Sequence, residues 1–174
     1  SYCDLSKASI KILDPGCGTA ILSCALVEQI TENSNDIERI DLVAYETDLE
    51  LIPLSQKALD YLKEWLLNKG VQFNYVLLKS DFVLDNASIL RENKLPSLFE
   101  ETKKVDEDFD IIISNPPYFK LSKDDKRVSV SQELVSGQPN IYSFFMGIAA
   151  KLLSENGELI FITPRSFASG NYFK

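Results

Sequence analysis

The stretch IKILDPGCGTAILSCALVEQI (residues 10–30) contains a short apolar run, a turn with two glycines, and a segment with apolar residues at helical spacing. This order predicts a strand, a tight turn and a helix. Further apolar runs lie at residues 40–45, 73–78, 109–113 and 158–163, and helical segments lie at residues 49–70, after Pro53, and 140–157. The runs do not alternate with polar residues, which is typical of strands buried on both faces. We therefore predict one α/β doubly wound domain with a mostly parallel sheet of about five strands.

The composition excludes several function classes. The 174 residues include no histidine, so the commonest general base and the usual triads are absent, and we predict no metal site. The three cysteines are not spaced as zinc ligands and indicate reduced thiols of a cytoplasmic protein. No apolar run is long enough to span a membrane, and no signal-peptide pattern is present. The net charge of −8 implies that any contacts with nucleic acid are local or lie outside this chain.

Polar or acidic residues follow four of the predicted strands directly. Ligands of an open α/β sheet bind outside the carboxyl ends of its strands, so these residues would meet at one edge. Four such ends in register predict a binding site more strongly than any one of them. In chain order they are Asp14 with Gly16 and Gly18, Glu46 with Asp48, Asp81 with Phe82, and Asn115 to Tyr118.

The first turn lacks the pattern of a phosphate-binding loop. No Gly-Lys-Ser/Thr follows its glycines, and Asp14 would repel a phosphate but suits a cationic amine. Glu46 is placed to accept hydrogen bonds from two ribose hydroxyls. Asp81 can accept from an exocyclic amine, and Phe82 can lie against a purine. These residues predict an adenosine with a cationic, amine-bearing tail, a description that S-adenosylmethionine fits.

The motifs DPGCGTA (residues 14–20), ETD (46–48), SDF (80–82) and NPPY (115–118) resemble those of the N6-adenine DNA methyltransferases of restriction-modification systems. The resemblance is closest to the gamma class, in which the cofactor motif precedes the catalytic motif. PNIYSFFMGIAAKLLSENGELIFITPRSF (residues 139–167) is similar to that class as well. The resemblance implies the Rossmann-like fold of class I S-adenosylmethionine-dependent methyltransferases. Three residues depart from the family pattern and would loosen cofactor packing: Ala20, Leu22 and Thr47.

The resemblance also implies roles for individual residues. The cofactor would be held by Asp14, Gly16, Cys17, Gly18, Glu46, Thr47, Asp81 and Phe82. The target base would be held by the catalytic residues Asn115, Pro116 and Tyr118, with Pro117 and Tyr142 also among the substrate-binding residues. For Tyr142, a core position and a place in the pocket both remain open.

The chemistry explains why such a site needs no histidine. Adenine N6 is a poor nucleophile because its lone pair is delocalised into the ring. Two acceptors on its hydrogens, the Asn115 side-chain oxygen and the Pro116 carbonyl, would localise that lone pair. Pro117 biases Pro116 towards an extended conformation, and Tyr118 can stack on the base. This is catalysis by position and electrostatics. A base in a duplex would have to be flipped out to reach it.

Several residues have more ordinary interpretations. Asp14, Asp48 and Asp81 are all candidates for helix capping; we favour capping for Asp48 and ligand contact for the other two. Residues 119–127 follow the motif and contain four basic residues, which suits a mobile lid or a backbone contact, although a solvated loop remains open. Trp65, Phe144 and Phe145 are predicted to be core residues.

The resemblance further implies that the chain is an incomplete catalytic core. The family has an extra cofactor motif before the first strand, later strands after the fifth and a separate target-recognition domain. The chain has no room for any of these. The expected partner is duplex DNA through the full-length protein, and a homodimer through the exposed sheet edge is a further expectation. The alternatives are methylation of a protein glutamine amide or of an RNA base, and a non-catalytic nucleotide-binding module.

Overall fold

The computed structural model describes residues 8–91, 108–122, 124–131 and 140–163. Its centre is a five-stranded sheet in which every neighbouring pair of strands is parallel. The strands are β1 (Ser9–Pro15), β2 (Arg39–Tyr45), β3 (Gln72–Leu78), β4 (Phe109–Ser114) and β5 (Leu153–Phe161). Their order across the sheet is β3-β2-β1-β4-β5. The predicted α/β doubly wound, parallel architecture is therefore confirmed.

Helices cover both faces of the sheet, because successive side chains of a strand point to opposite faces. Ile10 and Ile12 of β1 belong to one apolar cluster, and Leu13 belongs to the other. The helices are α1 (Ile21–Asn33), α2 (Ile52–Asn68), α3 (Phe82–Asp85), α4 (Lys126–Ser131) and α5 (Ile141–Leu152), with a 3₁₀ turn at Ala87–Arg91. Residues of α1 and α2 fill the first cluster, and residues of α3 and α5 fill the second.

The expectation that every strand is buried on both faces holds only for the inner strands. Consecutive residues of β1 and β4 are buried almost throughout, whereas β3 and β5 alternate irregularly between partly buried and exposed. Val76 of β3 is 53% exposed. β3 and β5 are the edges of the described sheet, so each lacks a neighbour on one side. The homodimer expected through the edge formed by β5 stays a prediction.

The fifth helix ends earlier than its sequence pattern predicts. The apolar spacing runs to residue 157, but α5 ends at Leu152, and β5 begins at Leu153 rather than at residue 158. The backbone of β5 already pairs with β4 there, because Leu153 lies opposite Phe109. The sequence Ser-Glu-Asn-Gly that follows favours a turn over a helix. No helix within the described ranges is long and apolar enough to span a membrane.

Gly157 sits where β5 passes close to β4. A Cβ atom at this position would lie 2.8 Å from the Leu153 side chain and 2.8 Å from the backbone oxygen of Phe109. The backbone oxygen cannot yield without disturbing the pairing of the two strands. We expect Gly157→Ala to lower the free energy of unfolding of the chain by about 1–3 kcal/mol in urea denaturation. The exposed Asn156→Ala is the control and should change it by less than about 0.5 kcal/mol. Equal stability of the two variants would show that the strands have room to separate.

Candidate active site

A cleft of about 300 Å³ opens at the carboxyl edge of the sheet. It lies where the strand order reverses, since β1 is flanked by β2 on one side and by β4 on the other. Such a switch point is where open α/β sheets bind ligands. The cleft is lined by Gly16, Tyr45, Glu46, Thr47, Ser80, Asp81, Phe82, Asn115, Pro117, Phe119, Arg127, Ile141 and Phe145.

The turn after β1 forms the floor of the cleft and has an unusual backbone. Gly16, Gly18 and Ala20 all have positive φ angles, of 74°, 58° and 61°. Glycine adopts this left-handed conformation without strain, but alanine does so at a cost of roughly 1–2 kcal/mol. The departure of Ala20 from the family's glycine thus falls at a position whose backbone favours glycine. The Cys17 amide donates to the Tyr45 carbonyl over 2.8 Å and ties the turn to the end of β2.

Three fully buried serines hold the same turn from three directions. The Ser23 hydroxyl of α1 donates to the Asp14 carboxylate over 2.5 Å, and the Ser114 hydroxyl of β4 donates to the Pro15 carbonyl over 2.6 Å. The Ser55 hydroxyl of α2 contacts the Gly18 carbonyl. Each serine has no exposed surface. These three hydroxyls therefore bond the Asp14 carboxylate and two carbonyls of the turn from within the protein.

Glu46 contributes as much to the architecture of the cleft as to its surface. Its Oε2 accepts from the Gly18 amide over 2.8 Å, and its Oε1 accepts from the amides of Thr47 and Asp48 over 2.7 and 2.8 Å. A carboxylate has about four acceptor sites, so about one remains for a ligand. This leaves room for one hydrogen bond to a hydroxyl in this conformation, where the sequence suggested two.

Asp14 lies beneath the turn and has no exposed surface. One carboxylate oxygen bonds Ser23, and the other, Oδ1, has no hydrogen-bond partner. Burial raises the pKa of Asp14 from 3.8 to about 7; the hydrogen bond from Ser23 opposes this and the charge of Glu46 adds to it. The Cys17 thiol is also poorly reactive, because burial and the charges of Asp14 and Glu46 raise its pKa to about 12.

Asp81 uses one oxygen to cap α3 and presents the other to Arg127. Its Oδ1 accepts from the amides of Val83 and Leu84 over 2.9 and 3.0 Å. Its Oδ2 lies 3.5 Å from the Arg127 guanidinium. Capping and ligand contact are therefore compatible for Asp81. The prediction that Asp48 caps a helix is wrong, because α2 begins after Leu51 with no side-chain cap; the Asp48 carboxylate instead accepts from the Glu50 amide over 2.9 Å in the turn before the helix.

Aromatic rings form one wall of the cleft. Phe82 packs edge-on against Tyr45, with ring centroids 5.2 Å apart, and at a tilt against Phe145, also at 5.2 Å. The Phe145 ring also approaches the turn, since a Cβ at Gly16 would lie 3.5 Å from it. Phe145 belongs to the second apolar cluster and lines the cleft as well. Its prediction as a core residue was therefore incomplete.

The Asn-Pro-Pro-Tyr motif follows β4 on the other side of the cleft. The Tyr118 hydroxyl lies 2.5 Å from Asn115 Oδ1 and also contacts the Ile162 carbonyl just after β5. A phenol has one hydrogen and can donate to only one of these acceptors at a time. Tyr118 and Phe119 are each 45% exposed; Phe119 lines the cleft, with the Arg127 guanidinium 5.4 Å from its ring centroid, and Tyr118 lies beside it.

A sequence model of a restriction-modification enzyme family, Eco57I, matches residues 24–174. The chain belongs to the Eco57I restriction-modification methylase family. Among its relatives, the type II methyltransferase M.BsuBI of Bacillus subtilis is 29% identical over 171 residues, and M.PstI of Providencia stuartii is 30% identical over 164 residues. Each match covers 94% of this chain but 30% of the relative, so the chain spans less than a third of their length. The predicted resemblance to restriction-modification methyltransferases is confirmed.

A solved structure supports the fold assignment for this Eco57I family chain. It is a protein of Listeria monocytogenes described as a class I S-adenosylmethionine-dependent methyltransferase, with a TM-score of 0.66 and 21% identity. The match covers 96% of this chain and 43% of that protein. The predicted Rossmann-like fold of class I methyltransferases is therefore confirmed.

The cleft brings together seven of the residues that sequence motifs placed in the site of this Eco57I family member. They are Gly16, Glu46, Thr47, Asp81, Phe82, Asn115 and Pro117. The remaining candidates lie around it rather than on its surface, namely Asp14, Cys17, Gly18, Pro116, Tyr118 and Tyr142. Tyr142 is half-buried, and its hydroxyl accepts from the side-chain amide of Asn140, the residue just before α5. Their individual roles stay predictions.

The sequence did not predict which residues of α4 and α5 line the cleft. Ile141 and Phe145 lie one helical turn apart on α5, a spacing that shows a shared face but not what the face meets. Arg127 was expected within the basic segment 119–127, as part of a lid or a backbone contact, but not as a residue that lines the cleft from the short helix α4. No group of His, Cys, Asp or Glu suited to a metal occurs in the part of the chain that is described.

Asp14 should make the stability of the chain depend on pH. Its folded-state pKa lies above the unfolded value, so the folded state binds more protons between about pH 4 and 7, and stability falls as pH rises through this window. Urea unfolding at pH 5 and pH 8 should show a loss on the order of 2 kcal/mol that the neutral, similarly shaped Asp14→Asn lacks. Identical pH dependence in the two proteins would contradict this assignment.

Proposed function

We propose that this chain is the catalytic core of an S-adenosylmethionine-dependent methyltransferase that modifies the N6 atom of adenine in DNA, of the restriction-modification type. One observation carries the proposal: Asn115, from the motif that follows β4, lines the same cleft as Glu46, Asp81 and Phe82. Residues expected to bind the cofactor and a residue expected to hold the target base therefore line the same cleft. Membership of the methylase family and the type II methyltransferase names of the relatives support the methyltransferase activity of restriction-modification type.

The residues present fit S-adenosylmethionine. Glu46 retains about one acceptor site for a ribose hydroxyl, and Asp81 Oδ2 is not used in capping. Phe82 and Phe145 offer apolar ring surface for a purine. The buried Asp14 Oδ1, which has no partner, would be stabilised as an ion by a cationic tail near the turn. The cofactor would supply a methyl group carried on a sulfonium.

Asn115 supplies the acceptor for the target nitrogen. Asn115 Oδ1 has two lone pairs, so it can accept a hydrogen from the target amino group whether the Tyr118 hydroxyl donates to it or to the Ile162 carbonyl. Together with the Pro116 carbonyl, this acceptor would localise the nitrogen lone pair that is otherwise delocalised into the ring.

A DNA base must leave the duplex to reach this cleft. The exposed rings of Tyr118 and Phe119 can replace the stacking that a flipped adenine loses, which is worth about 1–3 kcal/mol per base.

Asn115 and its neighbours would serve any planar amino or amide nitrogen, so a glutamine amide or an RNA base is the alternative substrate. Duplex DNA, the matching RNA and glutamine peptides should be compared as methyl acceptors. DNA is expected to be modified.

Cofactor choice can be tested by calorimetry. The acidic residues Glu46 and Asp81 line the cleft and should disfavour ligands with phosphate groups. We expect S-adenosylmethionine to bind at least about tenfold more tightly than NAD or ATP. The measurement should use the longest natural protein that contains this chain. Binding of NAD without binding of S-adenosylmethionine would refute the proposed cofactor.

Loss of the Asn115 amide should abolish most of the activity. Removal of one acceptor that acts in the transition state typically costs about 10²–10³ in kcat, so Asn115→Ala should lose at least a hundredfold in methyl transfer. Asn33→Ala is a matched control, since Asn33 is exposed at the end of α1 and bonds only locally, to the Gln29 carbonyl. Full activity of Asn115→Ala would contradict the mechanism, whereas an inactive control would indicate a general loss of folding.

A further inference from the structure

One buried hydrogen bond joins the two walls of the cleft. The Ser114 hydroxyl, at the end of β4, donates to the carbonyl of Pro15, at the end of β1, over 2.6 Å. The next residue on each strand, Asn115 and Gly16, lines the cleft. Ser114 has no exposed surface, so no water competes for this bond.

The bond lies at the point where the two strands open around the ligand. The paired positions of β1 and β4 are Ile12 with Ile111 and Leu13 with Ile112, two residues before Pro15 and Ser114. Beyond them the chains diverge into the cofactor turn and the Asn-Pro-Pro-Tyr motif. The Ser114 hydroxyl extends the connection between the strands to the last residue before each of these segments.

We propose that Ser114 is a positioning residue that sets the distance between the cofactor turn and the target-holding motif. The proposal rests on the methyl-transfer function proposed above. Transfer between two bound molecules depends on their alignment, and a misplacement of about 1 Å can cost a hundredfold in rate. Ser114 touches neither reactant and acts through the placement of Asn115 relative to the turn.

The other contacts of the turn predict that Ser114 affects catalysis more than cofactor binding. Without its hydroxyl, the turn is still held by the Cys17 amide on Tyr45, by the Gly18 amide on Glu46 and by Ser55. The cofactor side should therefore stay in place. The Asn115 side keeps its bond from the Ile162 amide to the Ser114 carbonyl, which ties it to β5 but not to the turn.

Ser55 provides a matched control. It is also a fully buried serine: its hydroxyl contacts the Gly18 carbonyl of the turn and lies 2.9 Å from the Leu51 carbonyl just before α2, and neither of these partners belongs to the target motif. In the longest natural protein that contains this chain, Ser114→Ala should lower kcat for methyl transfer about tenfold to a hundredfold. Its dissociation constant for S-adenosylmethionine should stay within about twofold of the wild type. Ser55→Ala should instead raise that constant about fivefold or more and keep its kcat at saturating cofactor.

A hydroxyl-retaining variant separates positioning from packing. Ser114→Thr can still donate to the Pro15 carbonyl, so it should recover most of the kcat that Ser114→Ala loses. If Ser114→Ala does not fold, Ser114→Cys, a weaker donor of similar size, should show an intermediate kcat. The proposal is overturned if Ser114→Ala or Ser114→Cys has the kcat of the wild type. It is also overturned if the cofactor affinity of either variant falls as it does in Ser55→Ala.

The outcome is distinct from a failure of the proposed function. That failure would appear in the wild-type protein, as absence of methyl transfer to every acceptor tested. A wild-type protein that methylates glutamine peptides rather than DNA would still test Ser114, because the alignment it sets does not depend on which nitrogen is presented.

Discussion

The parallel pairing of β1 with both β2 and β4 is the constraint on which the site depends. The chain runs outward from β1 to β2 and β3, and then returns to place β4 on the other side of β1. The loops after β1 and β4 consequently leave the sheet side by side and diverge, which opens the cleft between Gly16 and Asn115. Residues about 100 positions apart in sequence become neighbours only because of this reversal. The buried bond between Ser114 and Pro15 is its most direct consequence.

Groups that suit a ligand in this cleft also hold the protein together. Glu46 accepts three backbone amides, and Asp81 caps α3 while one of its oxygens faces Arg127. A carboxylate that is fixed by amide donors needs little reorganisation when a ligand arrives, which is the basis of electrostatic preorganisation. The buried serines serve the same end for the turn. The chain contains no histidine, and its rigid polar site is built instead from groups that backbone amides and serine hydroxyls hold in place.

Much of the fold could be predicted from the sequence because uninterrupted apolar runs mark buried strands. The acidic strand ends that follow β2 and β3 were placed correctly at the cleft, since adjacency at the carboxyl edge follows from topology alone. Contacts between distant elements could not be predicted. The sequence shows only that Phe145 is apolar. Whether its ring fills the core or lines a pocket depends on which elements α5 packs against. Arg127 was anticipated as part of a basic segment, but its approach to Asp81 depends on how α4 packs. Nothing in the sequence predicted a role for Ser114, because the role of a buried hydroxyl depends on the group that it bonds in the folded chain.

The charges around the cleft separate two kinds of ligand. Glu46 and Asp81 stand on the cofactor side, and Arg127 is engaged by the Asp125 carboxylate over 2.6 and 2.8 Å, so its charge is largely compensated there. The cofactor side therefore favours a neutral or cationic ligand and opposes a phosphate. The side formed by residues 115–119 presents an amide, two prolines and the exposed rings of Tyr118 and Phe119, and the Arg127 guanidinium lies 5.4 Å from the Phe119 ring centroid. A polyanion can then approach the motif without entering the acidic part of the cleft. Under the function proposed above, this division would let one cleft accept a cationic cofactor and a base from a nucleic acid, even in a chain whose net charge is −8.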